Sequence, residues 1–313
     1  MNIIWDAHAC FPLNATGDLS QLTRYKNSGV NFVSINIGMD MDTPEKVVHI
    51  LAGFRQFIQT HPEAYLLART VSDIRLAQQT NRLAVAFDLE GSEPLNGNLN
   101  LIALYFDLGV RQMLLAYNKD NRASGGCMEG RLGLTPFGRK VIREMNRVGM
   151  VVDLSHMSQR ATQEACDLST APVIYSHSNP KGKRDHARNI TDEQIKACAQ
   201  TGGVIGINGV GDFLGDIHSA TVVDHIEYVV NLVGPEHVGL GLDYVVDKQE
   251  LMDYITAHPD RFPPEKFSDF LSFVAPEQWP EIADLLVRRG YSEEAVRGIL
   301  GGNFWRVAEQ TWR

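Results

Sequence analysis

Six apolar runs in this chain close on side chains that can bind cations or move protons. The first ends Asp6-Ala7-His8-Ala9-Cys10, another Asp88-Leu89-Glu90-Gly91, and another Tyr117-Asn118. Asp153-Leu154-Ser155-His156, Tyr175-Ser176-His177-Ser178 and Gly241-Leu242-Asp243 complete the set. Only three of the ten histidines end such runs, which singles out positions 8, 156 and 177. A polar side chain that closes an apolar run is costly unless it is paired or liganded. Imidazoles converging with carboxylates are what Zn²⁺ or a similar divalent ion requires. A carboxylate such as Glu90 can also bridge two ions ~3.5–4 Å apart, the arrangement used for hydrolysis. Each residue taken singly has a plainer reading: a hydrogen-bonded histidine, a Glu90 paired with an arginine, an Asp243 that caps a helix. The joint pattern points to a metal centre.

Those residues converge only if the runs that carry them are parallel strands with their ends on one side. Eight runs have strand length: Asn2–His8, Val30–Ile37, Leu83–Glu90, Val110–Tyr117, Met150–His156, Pro172–His177, Gly203–Asn208 and His237–Asp243. Most are nearly continuous in Val, Ile, Leu and Met, as expected of strands covered on both faces. Helical stretches alternate with them. Thr43-Pro44 and Thr135-Pro136 each place a capping residue before a proline at the first helical position, and Thr191-Asp192-Glu193-Gln194 has the form of a capping box. Eight strands alternating with helices predict an α/β fold, a (β/α)₈ TIM barrel, and the metal-binding pattern at its strand ends makes it one of the metal-dependent hydrolase type. An open doubly wound sheet is the alternative, but no G-x-G-x-x-G follows the first strand. In a barrel all eight strand ends meet at one face, where catalytic groups collect.

The 313 residues read as a single barrel domain, 1–313, with an insertion at about 244–280 after the last strand. That insertion carries Pro259, Pro263, Pro264, Pro276 and Pro280 among aromatics that include Tyr254, Phe262, Phe270 and Phe273. It reads as a cap on the barrel mouth, a surface for a neighbour, or a satellite cluster of the same domain. With 44% hydrophobic and 21% charged residues the composition is globular. A formal charge of −9 argues against nucleic acid and against a membrane surface as partners. No signal peptide or spanning segment is evident, and four scattered cysteines form no disulfide framework, so a cytoplasmic, soluble protein is expected.

The chain resembles the membrane (renal-type) dipeptidase family of binuclear zinc barrels. The segments that carry the resemblance are Trp5-Asp6-Ala7-His8, Leu89-Glu90-Gly91, Gly149–His156, Pro172–Ser178, Ala187-Arg188-Asn189, Gly239–Asp243 and Gly301-Gly302-Asn303-Phe304. The resemblance implies that His8 binds a first metal, Glu90 bridges two, and His156 with His177 holds the second. It implies that Asp243, beside the first metal, takes a proton from the bridging water and hands it to the leaving amine. Arg188 would face the substrate carboxylate; its plainer reading is a surface charge. The activity implied is hydrolysis of a dipeptide or similar small amide, with Zn²⁺ as one or two ions, or another divalent metal, as cofactor. A homodimer is one assembly it implies.

Three positions depart from the family pattern. Where the family usually reads D-x-H-x-D on the first strand, position 10 is cysteine. A thiolate is a competent ligand for borderline ions, but a small apolar side chain turned inward is the other reading. Where mammalian members place a substrate-polarising histidine, this chain has Leu115-Ala116-Tyr117-Asn118. Tyr117 is then an oxyanion donor or a plain strand-end tyrosine, and Asn118 a substrate contact. Val210 stands near where an aromatic hydroxyl often helps hold the substrate carboxylate. These departures keep two alternatives open: a hydrolase of another amide, cyclic amide or lactone with one firmly bound metal, or a catalytically weak, metabolite-binding member.

Overall fold

The computed structural model describes residues 3–263, 267 and 271–313. Asn2, Pro264 and Phe270, named above, lie outside the described residues. Ten strands form one sheet: β1 (Trp5–Cys10), β2 (Phe32–Met39), β3 (Tyr65–Leu67), β4 (Leu83–Glu90), β5 (Val110–Leu114), β6 (Val151–Asp153), β7 (Ile174–Tyr175), β8 (Val204–Ile207), β9 (Val238–Leu240) and β10 (Tyr244–Val245). All pairings are parallel. Eight strands run β1-β2-β4-β5-β6-β7-β8-β9, and Asp6 on β1 pairs with Leu240 on β9, which closes the barrel. The two short strands are additions: β3 lies beside the first half of β4, and β10 beside the end of β1. The open doubly wound sheet is excluded.

Local signals act as the sequence indicates. Thr43 and Thr135 accept hydrogen bonds from Lys46 N and Gly138 N, starting the helices Pro44–Thr60 and Pro136–Val148. Thr191 and Gln194 form a reciprocal capping box at Asp192–Gln200. The floor of the barrel is apolar. Trp5, Phe32, Ala84, Val151, Ile174 and Val204, at or near the starts of their strands, pack with Phe304, Val307 and Ala308 of the helix Asn303–Thr311.

Two features aim side chains into the lumen at the opposite end. Trp5 pairs with Phe32 and Asp6 with Val33, but the next β1–β2 pair is Ala9 with Ile35. Strict alternation would put Trp5 and Ala9 on one face; the extra residue of this bulge reverses the phase, so His8 faces inward above Trp5. Secondly, the strands end before the chemistry begins. The ladder stops at Leu114, Asp153 and Leu240, several residues short of the predicted ends. Asn118, His156 and Asp243 then adopt left-handed backbone, with φ of 62°, 64° and 54°. Non-glycine residues seldom do so, and such strain concentrates at functional sites.

A candidate metal centre at the barrel mouth

Glu90, the last residue of β4, stands at the middle of the constellation. Its Oε1 lies 3.4 Å from His8 Nε2 and 3.3 Å from the Nε2 atoms of both His156 and His177. His156 and His177 approach each other Nε2 to Nε2 at 3.1 Å. Three imidazoles therefore present the same nitrogen to one carboxylate oxygen.

The far side of each ring is held. His8 Nδ1 lies 3.1 Å from Asp88 Oδ1, and Ser34 donates to the other Asp88 oxygen at 2.6 Å. His156 Nδ1 meets Asn118 Oδ1 at 2.7 Å, and His177 Nδ1 meets Ser176 Oγ at 2.7 Å. Asn118 presents oxygen to His156 because its Nδ2 donates to the Arg261 carbonyl at 3.2 Å. An amide oxygen can only accept, so Nδ1 of His156 carries the proton and Nε2 faces Glu90 with its lone pair. Rings fixed in this way are the usual setting of metal-binding histidines.

Electrostatics point the same way. Burial, with Arg188 nearby, lowers His156 to a pKa of about 3. Burial and the charge on His8 hold His177 well below its usual value. Both are neutral donors. Burial also opposes charge on His8, but Asp88 and Glu90 overcome it and raise its pKa well above the ordinary one. Burial resists ionisation of Glu90 too, yet the three histidines hold it well below the carboxylate range. His156, neutral, turns an Nε2 lone pair toward the ionised Glu90, and His177 is neutral beside it; two neutral imidazoles and a carboxylate converging without solvent are a donor set that fits a divalent cation.

The other residues singled out in the sequence surround this core. Cys10 Sγ is 3.5 Å from His8 Nε2 and 3.5 Å from Asp243 Oδ1, so the thiol faces the centre instead of the hydrophobic interior. His8, Cys10 and Asp243 form a second group able to hold a cation, beside that of His8, Glu90 and His177. Burial raises Asp243 to about 6, and Asn208 Nδ2 donates to its Oδ2 at 2.9 Å. Arg188 is only 2% exposed and donates to Ser178 Oγ at 3.1 Å and the His177 carbonyl at 2.9 Å. Its Nε has no partner, and no ion pair to it exists among the described residues. Tyr117 stacks on His156, ring centroids 4.2 Å apart. Asn118, expected at the substrate, also lines the cavity, but its side chain is engaged by His156 and Arg261.

A cavity opens over the centre, lined by Cys10, Glu90, Tyr117, His156, Arg188 and Asp243 among others. Described parts of the 244–280 segment roof it. These include the helix Lys248–Ala257 and the side chains of Phe262, Phe267 and Phe273. Arg261 fastens the roof, donating to the Tyr117 carbonyl at 2.8 Å and standing 3.5 Å from Asp40. Asn36, Asn208 and Asp40 were missed in the sequence. Asn36 donates to Glu90 Oε2 at 2.7 Å. Its signal was present: Ser34 and Asn36 alternate inside an apolar strand, and polar groups there need buried partners.

A family model for membrane dipeptidases (peptidase family M19) matches residues 13–258. An uncharacterized dipeptidase of Schizosaccharomyces pombe is 31% identical over 259 residues, covering 80% of this chain and 59% of that protein. The crystal structure of an amidohydrolase from Pseudomonas aeruginosa superposes with a TM-score of 0.91 at 26% identity, over 99% of this chain and 97% of that one. A metallo peptidase from Rhodobacter sphaeroides, liganded with a phosphinate mimic of the dipeptide L-Ala-D-Ala, has the same fold, with a TM-score of 0.80 at 19% identity over 99% of both chains. The chain spans 53–65% of the length of four curated relatives that it matches. Because the family model covers most of its length, the chain belongs to the membrane dipeptidase family, peptidase family M19.

Proposed function

We propose that this protein is a metal-dependent dipeptidase that hydrolyses the amide bond of a dipeptide or similar small amide bearing a free carboxylate. The observation that carries the reading is the convergence of three Nε2 atoms on one oxygen of Glu90. His8, Glu90, His156 and His177 would hold one or two divalent ions, with Cys10 and Asp243 as further ligands beside His8. Zn²⁺ suits imidazole, carboxylate and thiolate donors together. Divalent ions in such a site acidify water and polarise a carbonyl oxygen.

The chain's own groups do the rest. Arg188, buried and without a carboxylate partner, binds the substrate carboxylate through its planar fork. Asp243, held by Asn208 with a pKa of about 6, accepts the proton of the attacking water and returns it to the leaving amine. Tyr117 lines the cavity beside His156 and donates its hydroxyl to the carbonyl oxygen as charge develops there. The aromatic roof excludes bulk water.

The test is direct. Protein stripped by a chelator should lose hydrolysis of a broad dipeptide panel and regain it with Zn²⁺, Mn²⁺ or Co²⁺. Failure of the metal-loaded protein to cleave any dipeptide or N-acyl amino acid would overturn the proposal. Cys10 motivates a second version, in which one ion alone is firmly held on the His156–His177 side. About one ion per chain by elemental analysis, rising to two in Cys10→Asp, would favour it.

A further inference from the structure

Apolar side chains line most of the cavity, Phe213 beside Arg188 among them, and the Arg188 guanidinium marks one end of it. In the ring β1-β2-β4-β5-β6-β7-β8-β9, β2 stands opposite β7. Arg188 follows β7, and the metal centre lies between it and the wall on the β1–β2 side. That wall is built by Phe11 and Leu13 after β1, by Met39 at the end of β2, and by Leu251 and Ile255 from the roofing helix. The polar groups at this end already have partners. Glu250 turns both oxygens on Leu13 N, at 3.0 and 3.3 Å. Asp247 accepts from the N–H groups of Gln249 and Glu250. Tyr254 donates its hydroxyl away from the cavity, to Asp42 at 2.9 Å.

A substrate whose carboxylate sits on Arg188 and whose scissile carbonyl sits over Glu90 must send its acyl half toward the Phe11–Met39 wall. We infer that the acyl half of the natural substrate is a large apolar group, of the size of a phenylalanine residue or a hexanoyl chain, and that the amine half carries the carboxylate. This rests on the hydrolytic reading above and adds to it a substrate class. Small polar acyl groups leave the wall wet, whereas a large apolar one removes its surface from water.

The experiment is a kcat/KM series on the metal-loaded wild-type chain at fixed amine half: N-acetyl-, N-butanoyl-, N-hexanoyl- and N-phenylpropanoyl-alanine in both configurations, with Ala-Ala and Phe-Ala as dipeptides. Each methylene that reaches the wall is expected to raise kcat/KM about fourfold, from ~0.8 kcal/mol per buried CH₂. Phe-Ala should exceed Ala-Ala at least about tenfold. In Leu251→Glu the ratio of hexanoyl to acetyl rates should fall at least about tenfold, since a charge replaces apolar wall where the chain end would lie. Turnover with a flat or inverted series overturns the acyl preference and leaves the hydrolytic reading standing. Absence of turnover for every member and every metal removes both.

Discussion

On the β6–β7 side of the centre, two buried imidazoles face Glu90 and are fixed by neutral partners, Asn118 and Ser176. On the β1–β9 side, His8 is braced by the carboxylate of Asp88 and shares its reach with a thiol and a second carboxylate, both partly exposed. The first half offers neutral nitrogen donors whose geometry is set before any ion arrives. The second offers carboxylate oxygen and a thiol, with Cys10 Sγ 3.5 Å from Asp243 Oδ1 and burial raising the pKa of both. The contrast is that one carboxylate, Glu90, stands between two donor groups of unequal firmness. On the proposed reading the imidazole pair would anchor one ion, and the thiol side would decide which ion joins it.

The largest effect should come from breaking the firm half. His156→Ala or His177→Ala is expected to lower kcat/KM by well over the 10–100-fold that follows loss of a residue merely supporting a ligand, and to reduce bound metal by at least one ion per chain. Retention of full metal content in both variants would separate these histidines from the centre. Next is the soft half. Cys10→Ser should lower the occupancy of one ion and leave the other, while Cys10→Asp should shift preference toward harder ions such as Mn²⁺. In the Co²⁺-loaded protein a sulfur-to-cobalt charge-transfer band present in wild type and absent in Cys10→Ser would mark the thiolate as a ligand. Identical spectra would place the sulfur outside it.

Supporting residues come third. Asn118→Leu removes the acceptor that fixes the proton of His156 on Nδ1, and should weaken metal binding about 10–100-fold without removing a ligand. Asn36→Leu frees one oxygen of Glu90, which belongs to both halves, and should weaken both ions together. If each substitution weakened the same single ion, the division into halves would be wrong.

The same contrast explains what the sequence could convey. Strand-end histidines and carboxylates are visible because they interrupt apolar runs, and each of His8, Glu90, His156 and His177 is such an interruption. The barrel was legible for a related reason: strands covered on both faces are continuous in apolar residues, and helix caps punctuate the intervals. Strand ends were placed too late because His156 and Asp243 are contiguous with apolar residues, although their backbone leaves the ladder for positive φ. The three-residue β3 is too short to have a period at all. Asp40 and Arg261 lie 221 positions apart, and only the folded chain shows that one fastens the roof to the other.

That fastening lies over the firm half and gives the smallest predicted effect. Asp40 is buried and accepts from Tyr117 N at 2.9 Å and Glu93 N at 3.2 Å. Burial nevertheless lifts its carboxyl to about 6, the nearby Arg261 lowering it only in part. An unfolded Asp titrates at ~3.9, so between about pH 4 and pH 6 the folded chain holds a proton that the unfolded chain has lost. The proton-bound form stabilises the fold fully below pH ~4, and that contribution disappears as pH rises through about 6. Asp40→Asn cannot titrate. Relative to wild type it should flatten the fall in stability between pH 4 and 6.5 by roughly 2–3 kcal/mol, two pKa units at 1.36 kcal/mol each, read from urea unfolding at fixed ionic strength. Arg261→Gln removes the cation 3.5 Å away and should move the midpoint of that fall upward. Parallel stability curves for wild type and Asp40→Asn would mean that the carboxyl does not titrate in this window. Asp40 would then stay ionised throughout, and its pairing with Arg261 would fasten the roof over His156 across the whole window.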